Sequence, residues 1–283
     1  MLKLNQTQEK LAKQKLIGHS VLKGPAKSGK TAVAIGRMIY LLEHACKAGQ
    51  KVLFITSSKA QKQWVESCFM QLNGTRNISL FDEEQKCEAV IKVMDELIEE
   101  AADKAHVHLN LEVIEDVSET VLLGCIQNVK KLYPKVRWLK KEQLEFIQRE
   151  LKWINSCGIL TLEAYQEINR KGALIKLPKK GSGRKALWTL KEQVSEVLKA
   201  QGKMLKSQVQ LDTLRYVKED ALRTCYEHVI IDDAHTLTKV QLEFIQYLKA
   251  QSQGEVLFVV DKNESCRFNP TRILYGHAAG KST

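Results

Sequence analysis

The chain has 283 residues, 44% of them hydrophobic and 27% charged, enough for a core in one large domain or two smaller ones. Forty-four Lys and Arg against 33 Asp and Glu leave a formal charge of +11. That excess points to a polyanionic partner, nucleic acid before an anionic membrane surface, against the plainer reading of a basic surface that aids solubility. Seven cysteines without a C-x-x-C pair argue against structural zinc and for a reduced intracellular protein. The polar start MLKLNQTQEKLAKQKL has no apolar signal core, and no run approaches the ~18–20 apolar residues that span a bilayer. No membrane role is expected, and the expected location is cytoplasmic.

The first predicted strand covers residues 20–23. It runs into Gly24-Pro25-Ala26-Lys27-Ser28-Gly29-Lys30-Thr31, which matches G-x-x-x-x-G-K-[ST] in full. A chance match is expected about once in a hundred chains of this length, and this one lies between a predicted strand and a predicted helix over 31–48, ended by Gly49. The residue types suit a triphosphate. Glycines let backbone N–H groups turn inward around phosphate oxygens, and the helix N-terminus adds partial positive charge. Lys30 reaches the terminal phosphates and the Thr31 hydroxyl ligates Mg²⁺. The eight residues Gly24, Pro25, Ala26, Lys27, Ser28, Gly29, Lys30 and Thr31 therefore form the expected ATP·Mg²⁺ site, against the plainer reading of an empty glycine turn.

A second buried strand is predicted at 52–56, and two more at 229–231 and 256–260. Strand followed by helix, repeated, predicts a parallel α/β sheet. The middle, from about 82 to 220, reads as mostly helical and highly charged, acidic over 82–119 and basic over 126–218. An α/β domain of residues 1–81 plus 219–283, interrupted by a helical insert at 82–218, explains this layout. Three separate small domains fit less well, because the first two strands alone do not make a stable sheet. The hexapeptide QLEFIQ occurs at 143–148 and again at 241–246 without matching flanks, which suggests two amphipathic helices rather than a repeat. The GSG at 181–183, ringed by Lys179, Lys180, Arg184 and Lys185, reads as a flexible loop that either touches phosphates or is simply solvated.

The strand at 229–231 ends in Asp232-Asp233. Asp232 is placed to hold Mg²⁺ and Asp233 to orient or deprotonate an attacking water; the alternative is a solvated strand end. His106 and His108 have no partners at metal-ligand spacing. GHAAGKST at 276–283 is one residue short between its glycines and reads as a tail. Trp64, Trp138, Trp153 and Trp188 fall on amphipathic patterns, where a buried structural role outweighs base stacking.

Taken together, these residues resemble the N-terminal half of a superfamily 1 DNA helicase of the UvrD/Rep type. LNQTQEKL resembles that family's Q motif, which implies that Gln8 reads the adenine edge. FITSSKA resembles motif Ia, implying single-stranded DNA contacts from Ser57, Ser58 and Lys59. VIIDDAH resembles motif II and LFVVDKNES motif III, and Arg37 falls where the family carries an arginine on the P-loop helix. The implied fold is a P-loop NTPase of RecA-like type, a parallel sheet flanked by helices and interrupted by a mostly helical subdomain. The implied activity is ATP hydrolysis coupled to movement on single-stranded DNA.

Four positions depart from the pattern. Asp233 replaces Glu, His235 replaces Gln, Val260 replaces the Gly before Asp261, and Glu264 replaces a Gln that senses the terminal phosphate. Phe268 is the nearest candidate for a base-stacking aromatic. The second RecA-like domain of the family does not follow motif III, so unwinding by this chain alone is not expected. A fragment and a shortened relative both fit, as does a nucleotide- and nucleic-acid-binding module with weakened or lost ATPase activity. A P-loop ATPase of another class, acting with RNA or a protein partner, is a third reading.

Overall fold

The computed structural model describes residues 3–16, 18–73, 87–107, 110–170, 172–219, 225–249 and 254–262. In chain order its elements are α1 (Gln6–Ala12), β1 (His19–Gly24), α2 (Lys30–His44), β2 (Lys51–Thr56), α3 (Lys59–Asn73), β3 (Glu88–Val93), α4 (Met94–Lys104), β4 (Glu112–Ile114), α5 (Glu119–Leu132), α6 (Leu144–Ser156), α7 (Leu162–Glu167), α8 (Ser182–Ala200), β5 (Lys203–Leu205), α9 (Lys206–Glu219), β6 (His228–Ile231), α10 (Lys239–Leu248) and β7 (Val256–Asp261). They gather into two compact units, residues 1–100 with 217–283, and residues 101–216. No helix among the described residues is long and apolar enough to cross a membrane.

The first unit is α/β. Its five strands lie in the order β1-β7-β6-β2-β3, and each neighbouring pair is parallel. Val52, Leu53, Phe54 and Ile55 of β2 are all buried, as a parallel sheet covered on both faces requires of a central strand. Successive strand residues face opposite ways. Val52, Phe54, Ile230, Leu257 and Val259 share one face and pack against α2 and α3 through Ala34, Ile35, Met38, Leu41, Val65 and Phe69. The α2 contacts recur at three- and four-residue steps, the stripe an amphipathic helix buries.

Helix α1 lies on α2 at Gly36. A Cβ there would come within 2.7 Å of Leu4 Cδ1 and 3.3 Å of Ala12 Cβ, so the close approach depends on glycine. The start of α1 is fixed by a capping box. The Gln8 N–H donates to Asn5 Oδ1 at 2.9 Å, and the Asn5 N–H donates to Gln8 Oε1 at 3.0 Å.

The structure departs from the sequence reading in several places. The stretch expected to be mostly helical from residue 82 contains β3, which pairs with β2 over six residues. Its sequence EAVIKV carries two charged residues, Glu88 and Lys92, around a short apolar run, and it is the last strand of the sheet among the described residues. Charge suits such a position because it discourages further pairing; Lys51 reaches Glu88 at 2.5 Å, and Lys92 pairs with Glu100. Helix α2 ends at His44, short of the expected 48. Trp64 is 46% exposed, because α3 turns its neighbour Val65 inward instead.

The second unit pairs β4 with β5 in parallel, and its other regular elements among the described residues are helices. Leu122, Ile126 and Val129 of α5, Phe146, Ile147, Leu151 and Ile154 of α6, and Leu187, Leu190, Val194 and Leu198 of α8 are buried. The GSG expected to be a flexible loop instead provides the N-cap and first turn of α8. Arg184 is turned inward, donating to the carbonyls of Tyr165, Ile168 (2.9 Å) and Leu177 (3.3 Å). Both copies of QLEFIQ lie on helices, the first entering α6 and the second inside α10, with Phe146, Ile147, Phe244 and Ile245 buried.

Candidate functional site

Four neighbouring strands of the first unit end side by side, and each end carries part of the candidate site. At the end of β1 the chain enters the loop Gly24–Gly29. Gly29 has φ 83° and is the N-cap of α2. That left-handed backbone strains any L residue, and a Cβ there would sit 2.4 Å from Gln8 Nε2. Lys27 also adopts positive φ, at 62°. Inside the loop the Pro25 carbonyl accepts from Ser28 Oγ at 2.8 Å and from Lys30 Nζ at 2.7 Å. Gln8 leans over the loop, its Nε2 donating to Ser28 O at 3.4 Å.

At the end of β7, Asp261 Oδ2 lies 3.5 Å from Lys30 Nζ. At the end of β6 stands Asp232, buried, whose Oδ2 accepts from Thr31 Oγ1 at 2.7 Å although the two residues are 201 positions apart. Its Oδ1 accepts from the Asp233 N–H at 3.1 Å. Burial pushes the Asp232 carboxyl above the usual carboxylate range, and the Asp233 charge adds to the rise; the Thr31 and Asp233 N–H hydrogen bonds and the Lys30 charge oppose it. Asp233 follows with φ 51°, a conformation aspartate tolerates better than most residues.

At the end of β2, Ser57, Ser58 and Lys59 are exposed and lead into α3. From the first turn of that helix Gln61 reaches both carboxylates: Nε2 donates to Asp233 Oδ2 at 3.0 Å and to Asp232 Oδ2 at 3.2 Å. Its Oε1 accepts from the Ser57 N–H at 3.1 Å and from Ser57 Oγ at 2.5 Å. Ser58 Oγ in turn accepts the Gln61 N–H at 3.2 Å.

The structure thus gathers Gln8, the loop, Lys30, Thr31, Asp232 and Asp233, with Ser57 beside them. It does not bring in Arg37. That guanidinium is buried and donates to both oxygens of Glu255, at 2.7 and 2.5 Å, and to the carbonyls of Ala12 and Gln14. Glu255 precedes β7, at the amino end of the strands, whereas the loop lies at the carboxyl end. A buried cation requires a partner in the fold, and the structure places Arg37 in such a pair, away from the loop where a nucleotide contact was expected of it. Glu264, Phe268, His108 and the tail at 276–283 lie outside the described residues. Among those that are described, no group of three or more His, Cys, Asp or Glu side chains converges as a metal site.

The sequence reading assigns Gln61 no role, and Asp261 enters it only as the aspartate of the motif III resemblance. A faint signal for Gln61 existed in the S-x-x-Q spacing of Ser58 and Gln61, a helix-start pattern, but nothing in it foretells two carboxylates. A cleft of about 240 Å³ between α1, α2 and Leu72 is lined by Leu4, Ala12, Gly36, Ile39 and Tyr40 and includes none of the loop residues.

The donor set suits a divalent cation with an anionic ligand. Thr31 and Asp232 present hard oxygen donors. The Lys30 ammonium lies beside Asp261 and its charge reaches Asp232, and the start of α2 is the positive end of the helix. Open α/β sheets bind ligands outside the carboxyl ends of their strands, where all of these residues lie. No protein-family model matches this chain, and no curated protein matches it.

Proposed function

We propose that the carboxyl end of the sheet binds ATP with Mg²⁺, and that the chain is the nucleotide-binding portion of a RecA-like P-loop NTPase resembling UvrD/Rep helicases. The observation that carries this reading is the 2.7 Å contact between Thr31 Oγ1 and Asp232 Oδ2, which joins the residue after Lys30 to a strand-end carboxylate far along the chain. Thr31 and Asp232 would hold the metal, whose chemistry is to neutralise charge on the phosphate oxygens. Lys30, seated on the Pro25 carbonyl, would exchange that acceptor for phosphate oxygens. Gln8, already against Ser28 O, would offer its amide to the base. Asp233 would orient the attacking water by accepting a hydrogen bond from it.

In this reading Ser57, Ser58 and Lys59 contact single-stranded DNA, and the basic second unit adds backbone contacts. Movement on DNA would need a second RecA-like domain, in the same protein or a partner. A second reading, a binding module with weakened turnover, is favoured by one observation: the Asp233 carboxylate is engaged by Gln61 and is one methylene shorter than the family's Glu.

Calorimetric titration with Mg·ATP tests the first reading. Wild-type protein should bind, and Lys30→Ala and Asp232→Asn should each weaken binding at least tenfold, about 1.4 kcal/mol. Unchanged affinity in both variants removes it. Phosphate release with and without single-stranded DNA then separates the two readings.

A further inference from the structure

The Gln61 side chain has one donor end and one acceptor end, and both are occupied. A carboxamide offers two N–H donors and one carbonyl oxygen. Here the nitrogen faces the carboxylate oxygens Asp232 Oδ2 and Asp233 Oδ2, and the oxygen faces the Ser57 N–H and hydroxyl. The reverse orientation would set a carbonyl oxygen against two carboxylates and an amino group against a backbone N–H. The orientation therefore follows from the partners. Gln61 is one rigid amide joining the turn after β2 to the pair after β6.

We infer that Gln61 is a positioning residue that carries the occupancy of the Ser57-Ser58-Lys59 turn to the Asp232–Asp233 pair. The inference rests on the nucleotide and single-strand reading above and names how its two ligands communicate. Without nucleic acid, the Ser57 N–H and hydroxyl hold Gln61 Oε1, and the amide nitrogen covers Asp232 Oδ2, which also accepts from Thr31. A backbone phosphate seated at the turn offers stronger acceptors to the same Ser57 donors. Gln61 Oε1 then loses its anchor, the amide swings away, and Asp232 Oδ2 regains a lone pair for Mg²⁺. Nucleic acid at the turn and Mg·ATP at the loop therefore favour each other, and by linkage the coupling is reciprocal.

The test is Mg·ATP affinity measured by calorimetry on the full chain, with and without saturating short oligothymidylate. In the wild type the oligonucleotide should tighten Mg·ATP binding about fivefold or more. Gln61→Ala should bind Mg·ATP without DNA more tightly than the wild type does, because a competing donor is gone, and its affinity ratio with and without DNA should fall to about one. Gln61→Glu keeps an acceptor for Ser57 but sets a carboxylate oxygen against Asp232 and Asp233; repulsion should drive the side chain off the pair, so the coupling should be lost here too. A residue that only braces the turn would instead weaken binding when removed. If Gln61→Ala and Gln61→Glu keep the wild-type ratio, or if the wild type binds Mg·ATP with a ratio of one, the role of Gln61 is overturned while the nucleotide site stands. If the wild type binds no Mg·ATP, both fall.

Discussion

Two groups of charged side chains in this molecule are built on opposite plans. In the second unit, Glu150 is buried and accepts from the Tyr165 hydroxyl at 3.1 Å and from Arg170 Nε at 3.1 Å, while Arg170 also stacks over Trp153 at 4.1 Å. Nearby Arg184 is met by three carbonyls. Every charge there is answered by an opposite charge or a full set of hydrogen bonds. At the carboxyl end of the first unit's sheet, Asp232 and Asp233 accept from Thr31, Ser57, Gln61 and a backbone N–H, all neutral donors, while Lys30, whose charge reaches Asp232, leans toward Asp261. Charge that serves the fold is neutralised within the fold. Charge left mostly to neutral donors is what a ligand would answer, and that difference is what singles out the second group as the candidate site.

The sharpest way to break the comparison is to leave a structural charge alone. Arg37→Ala strands Glu255 in the interior and should cost about 3–5 kcal/mol in urea unfolding of the first unit. Replacing both partners, Arg37→Met with Glu255→Leu, should recover most of that loss, because an apolar pair of similar volume needs no counter-charge. A mild effect of Arg37→Ala alone would place Arg37 with the functional group instead.

Asp233→Glu comes next. One added methylene extends the carboxylate by about 1 Å, and a misplacement of that size is worth on the order of a hundredfold in rate. ATP turnover should rise by up to about that factor in steady-state phosphate release. Unchanged turnover would show that the shorter side chain already reaches its water.

Gly29→Ala separates backbone strain from ligand binding. An alanine at φ 83° costs about 1–2 kcal/mol. The clash with Gln8 adds little, because the exposed amide can move aside. Gly49, at φ 79°, has no heavy atom within 4 Å of a would-be Cβ, so Gly49→Ala should show the same loss in thermal unfolding. Only Gly29→Ala should also lose Mg·ATP affinity.

Legibility in the sequence followed how local each requirement was. The loop from Gly24 to Thr31 and the acids after the 229–231 strand stand out because one short stretch carries the whole pattern. β2 stands out because Val52–Ile55 is apolar without interruption, as burial on both faces demands. β3 escaped notice because a strand at the side of a sheet carries Glu88 and Lys92 where a central strand carries valine. Arg37 was visible as a helical arginine, but its partner Glu255 lies 218 positions away, so nothing nearby said that it was spent. Gln61 was hidden for the same reason. Its meaning appears only when the ends of β2 and β6 lie side by side.

The smallest expected effect tests the uncompensated group directly. Asp232→Asn should leave the ligand-free protein as stable as the wild type or up to about 1 kcal/mol more stable, the usual return when a strained functional charge is removed. The pH dependence gives the sign. The folded-state pKa of Asp232 lies above its ordinary value of 3.8, so the folded protein holds this proton over a range in which the unfolded chain has released it. The resulting stabilisation is fully present below the unfolded pKa and is lost as pH rises through the folded pKa. The stability advantage of Asp232→Asn should therefore grow from acid toward neutral pH and then level off, as read by urea unfolding across that range without Mg²⁺. A variant that loses stability as pH rises would mean that the Asp232 charge is compensated within the fold, like that of Glu150, and would dissolve the contrast between the two groups.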